Sequence, residues 1–181
     1  PPPHPHTFPT RRSSDLIIFG LSSEASKLMG QLFTDHQVSK IYHAIVRGWL
    51  AEPEMRVDHP MQDKESNKPL QEAKTDFREL ARVELPYAVD RYPTSRYSLV
   101  EARPLTGRRH QILKHLKHIS HPIIGDTSYG KNTHNRFFRD HFGVQRLLLL
   151  ARELRFKHPV TGAMICITAW DEPQWVGLLH A

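Results

Sequence analysis

The sequence contains little cysteine and no long apolar run, and each absence limits the kind of protein it encodes. Its one cysteine, Cys166, excludes an internal disulfide and is typical of a protein from a reducing cytoplasm, which is the expected location. Cys166 lies in an apolar stretch and is expected to be an inert core residue. No apolar run approaches the roughly 20 residues that cross a membrane, and no signal-peptide pattern begins the chain, so no membrane partner is expected.

Metal-binding motifs are also missing, although the chain has 13 histidines. Four histidines that fall close together make a metal-dependent hydrolase one conceivable function: His110, His115, His118 and His121. Such a site would need carboxylate or cysteine partners, and the sequence has neither an HExxH nor a CxxC spacing. We therefore expect no metal site.

Acidic residues are outnumbered by basic ones, 19 to 25, which gives a formal net charge of +6 and a pI near 9.6. This balance favours an anionic partner such as nucleic acid. A length of 181 residues, with 39% hydrophobic and 24% charged residues, is ordinary for a soluble globular domain with a sizeable core. The composition thus predicts one basic domain, expected to be a monomer.

The first 16 residues differ from the rest of the chain. Proline and polar side chains dominate residues 1–16 without apolar periodicity, which predicts a disordered segment. Residues 8–16, FPTRRSSDL, also resemble the conceptual translation of a sequencing-library adapter. On that interpretation residues 1–16 are foreign, and residues 17–181 form a domain that is truncated at its N-terminus.

From residue 16 onward the hydrophobic pattern predicts an α+β fold, with a mixed, largely antiparallel sheet and a few packed helices. A helix capped by Ser22 or Ser23 is expected to end near residue 36 and to bury Leu28, Leu32 and Phe33. Strands and hairpins are expected at residues 16–19, 40–50, 73–85, 96–103 and 154–170. Less regular segments are expected as follows: a mobile loop at 55–70, weak periodicity at 127–143, a strand or helix turn at 147–150, and a short helix at 172–179.

Residues 104–126, PLTGRRHQILKHLKHISHPIIGD, are the most informative stretch. Ile112, Leu116 and Ile119 recur at helical spacing and are expected to share a buried face, while Thr106 is expected to cap the helix start. The remaining positions are rich in cations and amides: Arg108, Arg109, His110, Gln111, Lys114 and Lys117. Because a helix N-terminus itself favours anions, this pattern predicts contacts to a phosphate-bearing partner, although a solvated basic surface helix has the same composition.

The order Thr-Gly-Arg-x-His-Gln-Ile, followed by His-Pro-Ile-Ile-Gly-Asp, resembles the signature of the RluA-type RNA pseudouridine synthases, and in particular the TruC-type tRNA enzymes. Four further stretches resemble segments of that family in the same order: GLSSEASKLMGQLF, KIYHAIVRGWL, RYPTSRYSLVE and HFGVQRLLLL. The resemblance therefore extends from Leu16 to about Trp170. It implies the pseudouridine synthase fold, an RNA partner that is expected to be tRNA, and a reaction that needs no cofactor or metal.

The resemblance also implies roles for individual residues. Tyr42 matches the active-site tyrosine of Tyr-x-Ala-x-Val-x-Gly, which can stack on the target uracil and accept a proton if its pKa is lowered. The family's nucleophilic aspartate precedes this strand in His-Arg-Leu-Asp-x-x-Thr-Ser-Gly, and counting back from Gly20 its position falls on Thr10. Asp15 falls on a glycine of the family and is interpreted as part of the foreign segment. The catalytic carboxylate is thus expected to be absent from the chain as written.

A second departure lies inside the basic helix, where the family reads His-Gln-Ile/Leu-Arg and this arginine pairs with the nucleophile. Leu113 occupies the arginine position here, and Lys114 follows it. A residue one step along a helix is rotated by about 100°, so Lys114 cannot simply substitute. The leading interpretation is a truncated pseudouridine synthase, predicted to be inactive as written, and the alternative is an inactive RNA-binding module with the same fold.

Overall fold

The fold is built around one six-stranded sheet in a computed structural model that describes residues 16–62 and 69–169. The strands are β1 Ser39–Arg47, β2 Glu54–Asp58, β3 Lys74–Leu85, β4 Ser95–Pro104, β5 Leu149–Lys157 and β6 Met164–Thr168. Their spatial order is β2-β3-β4-β1-β5-β6, and each neighbouring pair is antiparallel. The predicted α+β class is confirmed, and the described strands form no parallel pair.

Two helices cover opposite faces of this sheet. Alternation along β1 sends Ala44 and Val46 into an apolar cluster with Ile112 and Leu116 of α2, which spans Gln111–His118. The intervening residue Ile45 enters the other cluster, which is formed with α3, Asn132–Phe142. The sheet is therefore buried on both faces around β1 and β4, and any residue of β1 can be assigned to the α2 side or the α3 side.

The two hairpins predicted from the sequence are confirmed. Strands β3 and β4 pair along almost their whole length, from Thr75 opposite Pro104 to Leu85 opposite Ser95. Strands β5 and β6 pair across the turn at residues 158–162, where Gly162 adopts a left-handed conformation. The face predicted for Tyr42, Ala44 and Val46 is also confirmed, since all three contact the α2 cluster.

The N-terminal part of the described chain differs from the prediction. Residues 16–19 form no strand. Helix α1, Ser23–Thr34, does begin as predicted, because Ser22 accepts a hydrogen bond from the Ala25 amide at 3.1 Å. None of its residues is buried, however, and Phe33 is 40% exposed. The apolar spacing predicted the helix but not its packing, which requires a partner surface.

Three further predictions were wrong. The supposed loop at 55–70 contains most of β2, because its alternating residues pair with β3. The segment at 127–143 contains α3, whose buried His134, Phe137 and Phe138 do repeat at helical spacing. Cys166 is exposed on the edge strand β6 and is not a core residue. Of the two alternatives for residues 147–150, the structure shows the strand, since β5 begins at Leu149.

Several expectations concern residues that the structure does not describe, namely 1–15, 63–68 and 170–181. The disordered or foreign segment, the boundary at residue 17 and the helix at 172–179 therefore remain predictions. Among the helices of the described ranges, none combines the length and the apolar character needed to cross a bilayer.

Candidate functional site

Tyr42 lines a small cavity beside strand β5. The cavity has a volume of about 160 Å³, and its other walls include Leu16, Ile18, Phe33, Lys40, Ala151, Glu153 and Leu154. Its lining is mostly apolar, with the Tyr42 ring on the same sheet face as α2. Such a cavity suits a flat, single ring with a few polar atoms better than a large polar ligand.

Burial shifts both ionisable groups of the β1 wall toward their neutral forms. It raises the pKa of the Tyr42 phenol, and it lowers the pKa of the Lys40 ammonium. The condition attached to Tyr42 as a proton acceptor, a lowered pKa, is thus not met. The phenol is instead suited to stacking and to donating a hydrogen bond.

Lys40 connects this cavity with the turn that precedes α2. It lies two residues before Tyr42, so both side chains extend from the same face of β1. A Cβ atom placed on Gly107 would lie 3.6 Å from the Lys40 Nζ. None of residues 108–114 lines the cavity itself. Within the described ranges, Lys40 has no ion-pair partner, and no sequence motif pointed to it.

The start of α2 is organised by a buried glutamine. The Gln111 Oε1 accepts hydrogen bonds from the Thr106 hydroxyl at 2.7 Å and from the Arg108 amide at 3.0 Å. Its Nε2 donates to the Lys74 carbonyl at 2.9 Å and to the Thr75 hydroxyl at 3.0 Å. Gln111 is only 4% exposed, so its predicted RNA contact is corrected: the amide fixes the Gly107 turn and is not available to RNA.

The N-cap predicted for α2 is also corrected. The helix begins at Gln111 and its N-cap residue is His110, which makes no side-chain cap hydrogen bond. Thr106 therefore does not cap the helix, because its hydroxyl bonds Gln111 while its oxygen accepts from the Lys74 amide at 3.1 Å. The buried face predicted for Ile112 and Leu116 is confirmed, and Ile119 packs against it as a partly buried residue.

Leu113, which stands where the family has an arginine, has a packing role in this structure. Leu113 is partly buried against the same apolar cluster that Tyr42 contacts. A charged side chain extending from this position would start beside that cluster. Leu113 therefore contributes packing, and the neighbouring Lys114 is half-buried on an adjacent part of the helix.

The cationic side chains around α2 differ in their hydrogen-bond and ion-pair partners. Arg108 donates from Nε to the Glu72 carbonyl at 3.1 Å, and Arg109 is exposed but has an interaction of its own. Lys117 is exposed, and neither it nor Lys114 has a carboxylate partner within residues 16–62 and 69–169. These lysines are accordingly able to exchange solvent for an anion without breaking an ion pair.

His110 contacts Tyr129, which lies in the segment that follows α2. Its Nδ1 lies 3.1 Å from the Tyr129 hydroxyl, and the two rings meet edge to face at 5.8 Å between centroids. The backbone of His110 is left-handed, with φ of 56°. Neither Tyr129 nor the turn that carries it was recognised from the sequence, because residues 127–143 showed no clear pattern.

The four histidines considered for a metal do not converge. His115 uses both ring nitrogens inside the protein, with Thr75 Oγ1 at 3.0 Å and the His59 carbonyl at 3.1 Å. His118 stacks on His59, and His121 Nδ1 lies 2.9 Å from the Arg47 carbonyl. In the part of the chain that the structure describes, no three metal-ligating side chains are grouped to hold an ion.

A larger groove of about 500 Å³ crosses β2, β3 and β4, but its charges are paired. Arg56 contacts Asp76 at 2.6 Å, and Glu101 contacts both Arg78 at 3.3 Å and Arg103 at 2.8 Å. By strand alternation these residues lie on the sheet face opposite α2. The groove is therefore separate from Tyr42 and lacks the cationic excess that would attract a polyanion.

Comparison with known proteins identifies the family. A sequence model described as RNA pseudouridylate synthase matches residues 11–118, which is more than half of the chain and includes both Tyr42 and α2. The chain belongs to the RNA pseudouridylate synthase family. The match begins inside residues 1–16, and the interpretation of that segment as foreign remains a prediction.

Bacterial members of the pseudouridylate synthase family are close relatives. The tRNA pseudouridine synthase C of Vibrio cholerae is 43% identical over 187 residues, covering 96% of this chain and 76% of the relative. The protein of the same name from Pasteurella multocida is 46% identical, with 97% and 77% covered. The family resemblance stated from sequence motifs alone is thus confirmed across nearly the whole chain.

Solved structures support the same fold. The human protein named RNA pseudouridylate synthase domain containing 1 superposes with a TM-score of 0.64 and 25% sequence identity. The superposition covers 83% of this chain and 62% of the human chain, so this chain spans less than two thirds of that relative. The six-stranded sheet and its flanking helices are therefore a pseudouridine synthase fold.

Proposed function

We propose that this chain is the catalytic domain, residues 17–181, of a tRNA pseudouridine synthase that acts as a cytoplasmic monomer without cofactor or metal. The reaction detaches the uracil of one uridine from its ribose and rejoins the base through carbon. The observation that carries the proposal is Tyr42 on the wall of a small, mostly apolar cavity, on the sheet face that α2 covers. The names of the bacterial relatives supply the substrate class.

In this proposal the cavity receives a base that has left its stack. A uridine inside folded RNA is not accessible, so it must be flipped out, and a stacked aromatic ring offsets part of the lost base stacking. The protonated Tyr42 phenol can stack on the uracil and donate a hydrogen bond. Lys114 and Lys117, with Arg108, Arg109 and His110, would hold the adjoining RNA backbone.

The position that corresponds to the family's nucleophile lies outside the described residues. The position of the family's aspartate falls on Thr10, whose neutral hydroxyl is a far weaker nucleophile without a neighbouring base. Asp15 is five residues away, roughly 16 Å along an extended chain, which is too far for a site held to ångström tolerance. We therefore propose that the chain as written lacks its catalytic carboxylate.

An inactive RNA-binding module of the same fold is the second candidate. It is favoured by Leu113, whose side chain packs against the apolar cluster where the family has an arginine that pairs with the nucleophile. With neither the carboxylate nor its cation, the domain would keep a surface for RNA and lose turnover. The two candidates therefore predict the same binding and different chemistry after repair.

The first testable prediction is that the chain as written forms no pseudouridine in tRNA. Thr10→Asp alone should recover little, because it restores neither the segment around the nucleophile nor the cation at residue 113. A segment of the family type in place of residues 1–16, combined with Leu113→Arg, should recover more. The measurement is pseudouridine formed per enzyme in a transfer RNA transcript.

Tyr42→Phe in the repaired chain keeps the stacking ring and removes only the hydroxyl. Its turnover therefore separates the contribution of the hydroxyl from that of stacking. Substantial turnover by the unmodified chain would contradict both the foreign-segment interpretation and the placement of the nucleophile. RNA binding without any turnover in the repaired chain would instead favour the inactive binding module.

A further inference from the structure

The turn between residues 123 and 130 is unusually constrained for a surface connection. The Asp126 Oδ1 accepts hydrogen bonds from the Ser128 amide at 2.8 Å and from the Tyr129 amide at 3.0 Å. Gly130 packs so closely on the Asp126 carbonyl that a Cβ atom would overlap it. These contacts fix the backbone of Tyr129, and so limit where its ring can lie.

Helix α3 clamps the same turn from outside. Asn135 accepts from the Gly125 amide at 2.8 Å through Oδ1, and its Nδ2 donates to the Asp126 carbonyl at 2.7 Å. Asp126 itself is 4% exposed, and its Oδ2 accepts no hydrogen bond within the described residues. One side chain of α3 thus holds both sides of Asp126, and the turn is joined to the core.

With the turn fixed in this way, the Tyr129 hydroxyl is directed at His110. The two residues meet through the 3.1 Å contact to Nδ1 and the edge-to-face rings. His110 also needs support for its backbone, since a left-handed conformation strains any residue other than glycine. Strain of this kind persists where the surroundings impose it, and it is often found at functional positions.

The hydrogen bond to Tyr129 determines what the rest of the His110 ring can do. If the phenol donates to Nδ1, the proton of a neutral imidazole must be on Nε2. No other hydrogen bond engages the His110 ring within residues 16–62 and 69–169, and the residue is only half-buried. The Nε2–H group is then a fixed donor next to Arg108 and Arg109.

We propose that Tyr129 is a positioning residue of the RNA site: it fixes the tautomer and direction of the His110 ring, so that Nε2–H donates to an acceptor oxygen of the RNA. This inference rests on the proposed function, because it presumes an RNA ligand at the start of α2. It assigns a role to the turn that follows the basic helix, through Asp126, Asn135 and Tyr129. The oxygen belongs either to a phosphate or to a base carbonyl, and the sequence dependence of binding separates the two.

The test compares Tyr129→Phe with Tyr92→Phe. Tyr129→Phe keeps the ring contact and removes the hydroxyl, whereas Tyr92 is an exposed tyrosine whose hydroxyl has no partner within the described residues. Long-range 1H–15N correlation spectra report the tautomer of His110, with the His110→Gln variant identifying its signals. We expect Tyr129→Phe to shift His110 from nearly pure Nε2–H toward a mixture, and Tyr92→Phe to leave it unchanged.

Binding to a transfer RNA transcript supplies the second readout. Tyr129→Phe should weaken binding about three- to tenfold, the usual effect of losing one hydrogen bond, without a comparable loss of thermal stability. In the His110→Gln background the same substitution should have almost no further effect, because the hydroxyl acts only through His110. A loss in His110→Gln that is equal for transfer RNA and for an unrelated RNA of the same length would assign the oxygen to a phosphate, and a loss confined to the transfer RNA would assign it to a base.

Three results would overturn the inference: an unchanged His110 tautomer, unchanged affinity in Tyr129→Phe, or additive losses in the double variant. Failure of the proposed function would look different, because the unmodified chain would then bind no RNA at all. In that case the spectra would still report whether Tyr129 orders His110.

Discussion

One buried hydrogen-bond network joins Gln111, Thr75 and His115. The donor and the acceptor of each bond in it can be assigned one after another. The His115 Nε2–H donates to the His59 carbonyl, so Nδ1 accepts from the Thr75 hydroxyl. The Thr75 oxygen in turn accepts from Gln111, whose own oxygen accepts from Thr106. Burial lowers the pKa of His115, which keeps this order intact. Single side chains thus connect α2 to β3 without any charge.

His134 on α3 is a second buried histidine, and it should make folding stability depend on pH. Its Nδ1 lies 2.8 Å from the Tyr97 hydroxyl, while its Nε2 is buried without a hydrogen-bond partner among the described residues. Burial is the largest cause that lowers the pKa of His134 to about 4, from 6.5. Between these values the unfolded chain binds a proton that the folded chain excludes, so stability falls as the pH is lowered.

We therefore predict that the free energy of unfolding drops by about 2 kcal/mol more in the unmodified chain than in His134→Gln, between pH near 7 and pH near 5. Urea unfolding at the two pH values measures this difference. The exposed His141→Gln, on the same helix, is the control and should behave like the unmodified chain. Parallel pH profiles for the unmodified chain and His134→Gln would contradict the assignment.

Among the described helices, α2 has a clear division between a buried packing face and a more exposed basic face. Ile112 and Leu116 are buried against the sheet, while Lys117 is exposed and Lys114 half-buried. A phosphate chain that meets the lysines releases the counterions bound to it, which makes binding weaker at higher salt. Helix α1 has no such division, since none of its residues is buried.

Lys117→Ala should weaken RNA binding and reduce the slope of log affinity against log salt by about 0.7–0.9, the value for one phosphate contact. Affinity measured at several salt concentrations gives the slope. Lys27→Ala on α1 is the matched control, because it removes the same exposed charge from a helix position with no proposed RNA contact. Equal slopes for both variants would mean that α2 has no special contact with RNA.

For the molecule as a whole, the segment after α2 contacts parts of the chain that are distant in the sequence. Gly125 has φ of 81°, and a Cβ atom there would overlap the Arg146 carbonyl. The neighbouring residue Ile124 bonds both Ile45 of β1 and Leu148, which leads into β5. The segment after α2 is thus fitted against the central strands at a point where only glycine leaves room.

Gly125→Ala is accordingly predicted to lower the free energy of unfolding by about 3 kcal/mol, from steric overlap together with backbone strain. Chemical denaturation followed by circular dichroism measures the loss. Gly30→Ala in α1 is the control, because nothing lies within 4 Å of its added Cβ and helix propensity favours alanine by about 1 kcal/mol. A neutral Gly125→Ala would contradict the close approach.

The sequence by itself determined the family, the sheet class and the two hairpins, because motif order and period-two alternation are local properties. It also predicted the buried face of α2 and the side of β1 that carries Tyr42. It missed α3, whose aromatic repeat is interrupted by charges, and β2, whose residues look polar because one face is a row of ion pairs. Both depend on partners that are far away in the sequence.

The tertiary structure alone decided which motif residues face inward. Gln111 belongs to the same motif as Arg108 and His110, yet hydrogen bonds to Lys74 and Thr75, more than 30 residues away, bury it. Burial also raised the pKa of Tyr42, which no spacing in the sequence could indicate. Tyr129 reaches His110 from a turn that Asp126 and Asn135 hold together. Desolvation and long-range hydrogen bonding arise when the chain folds, so the roles that depend on them could not be predicted from residue order.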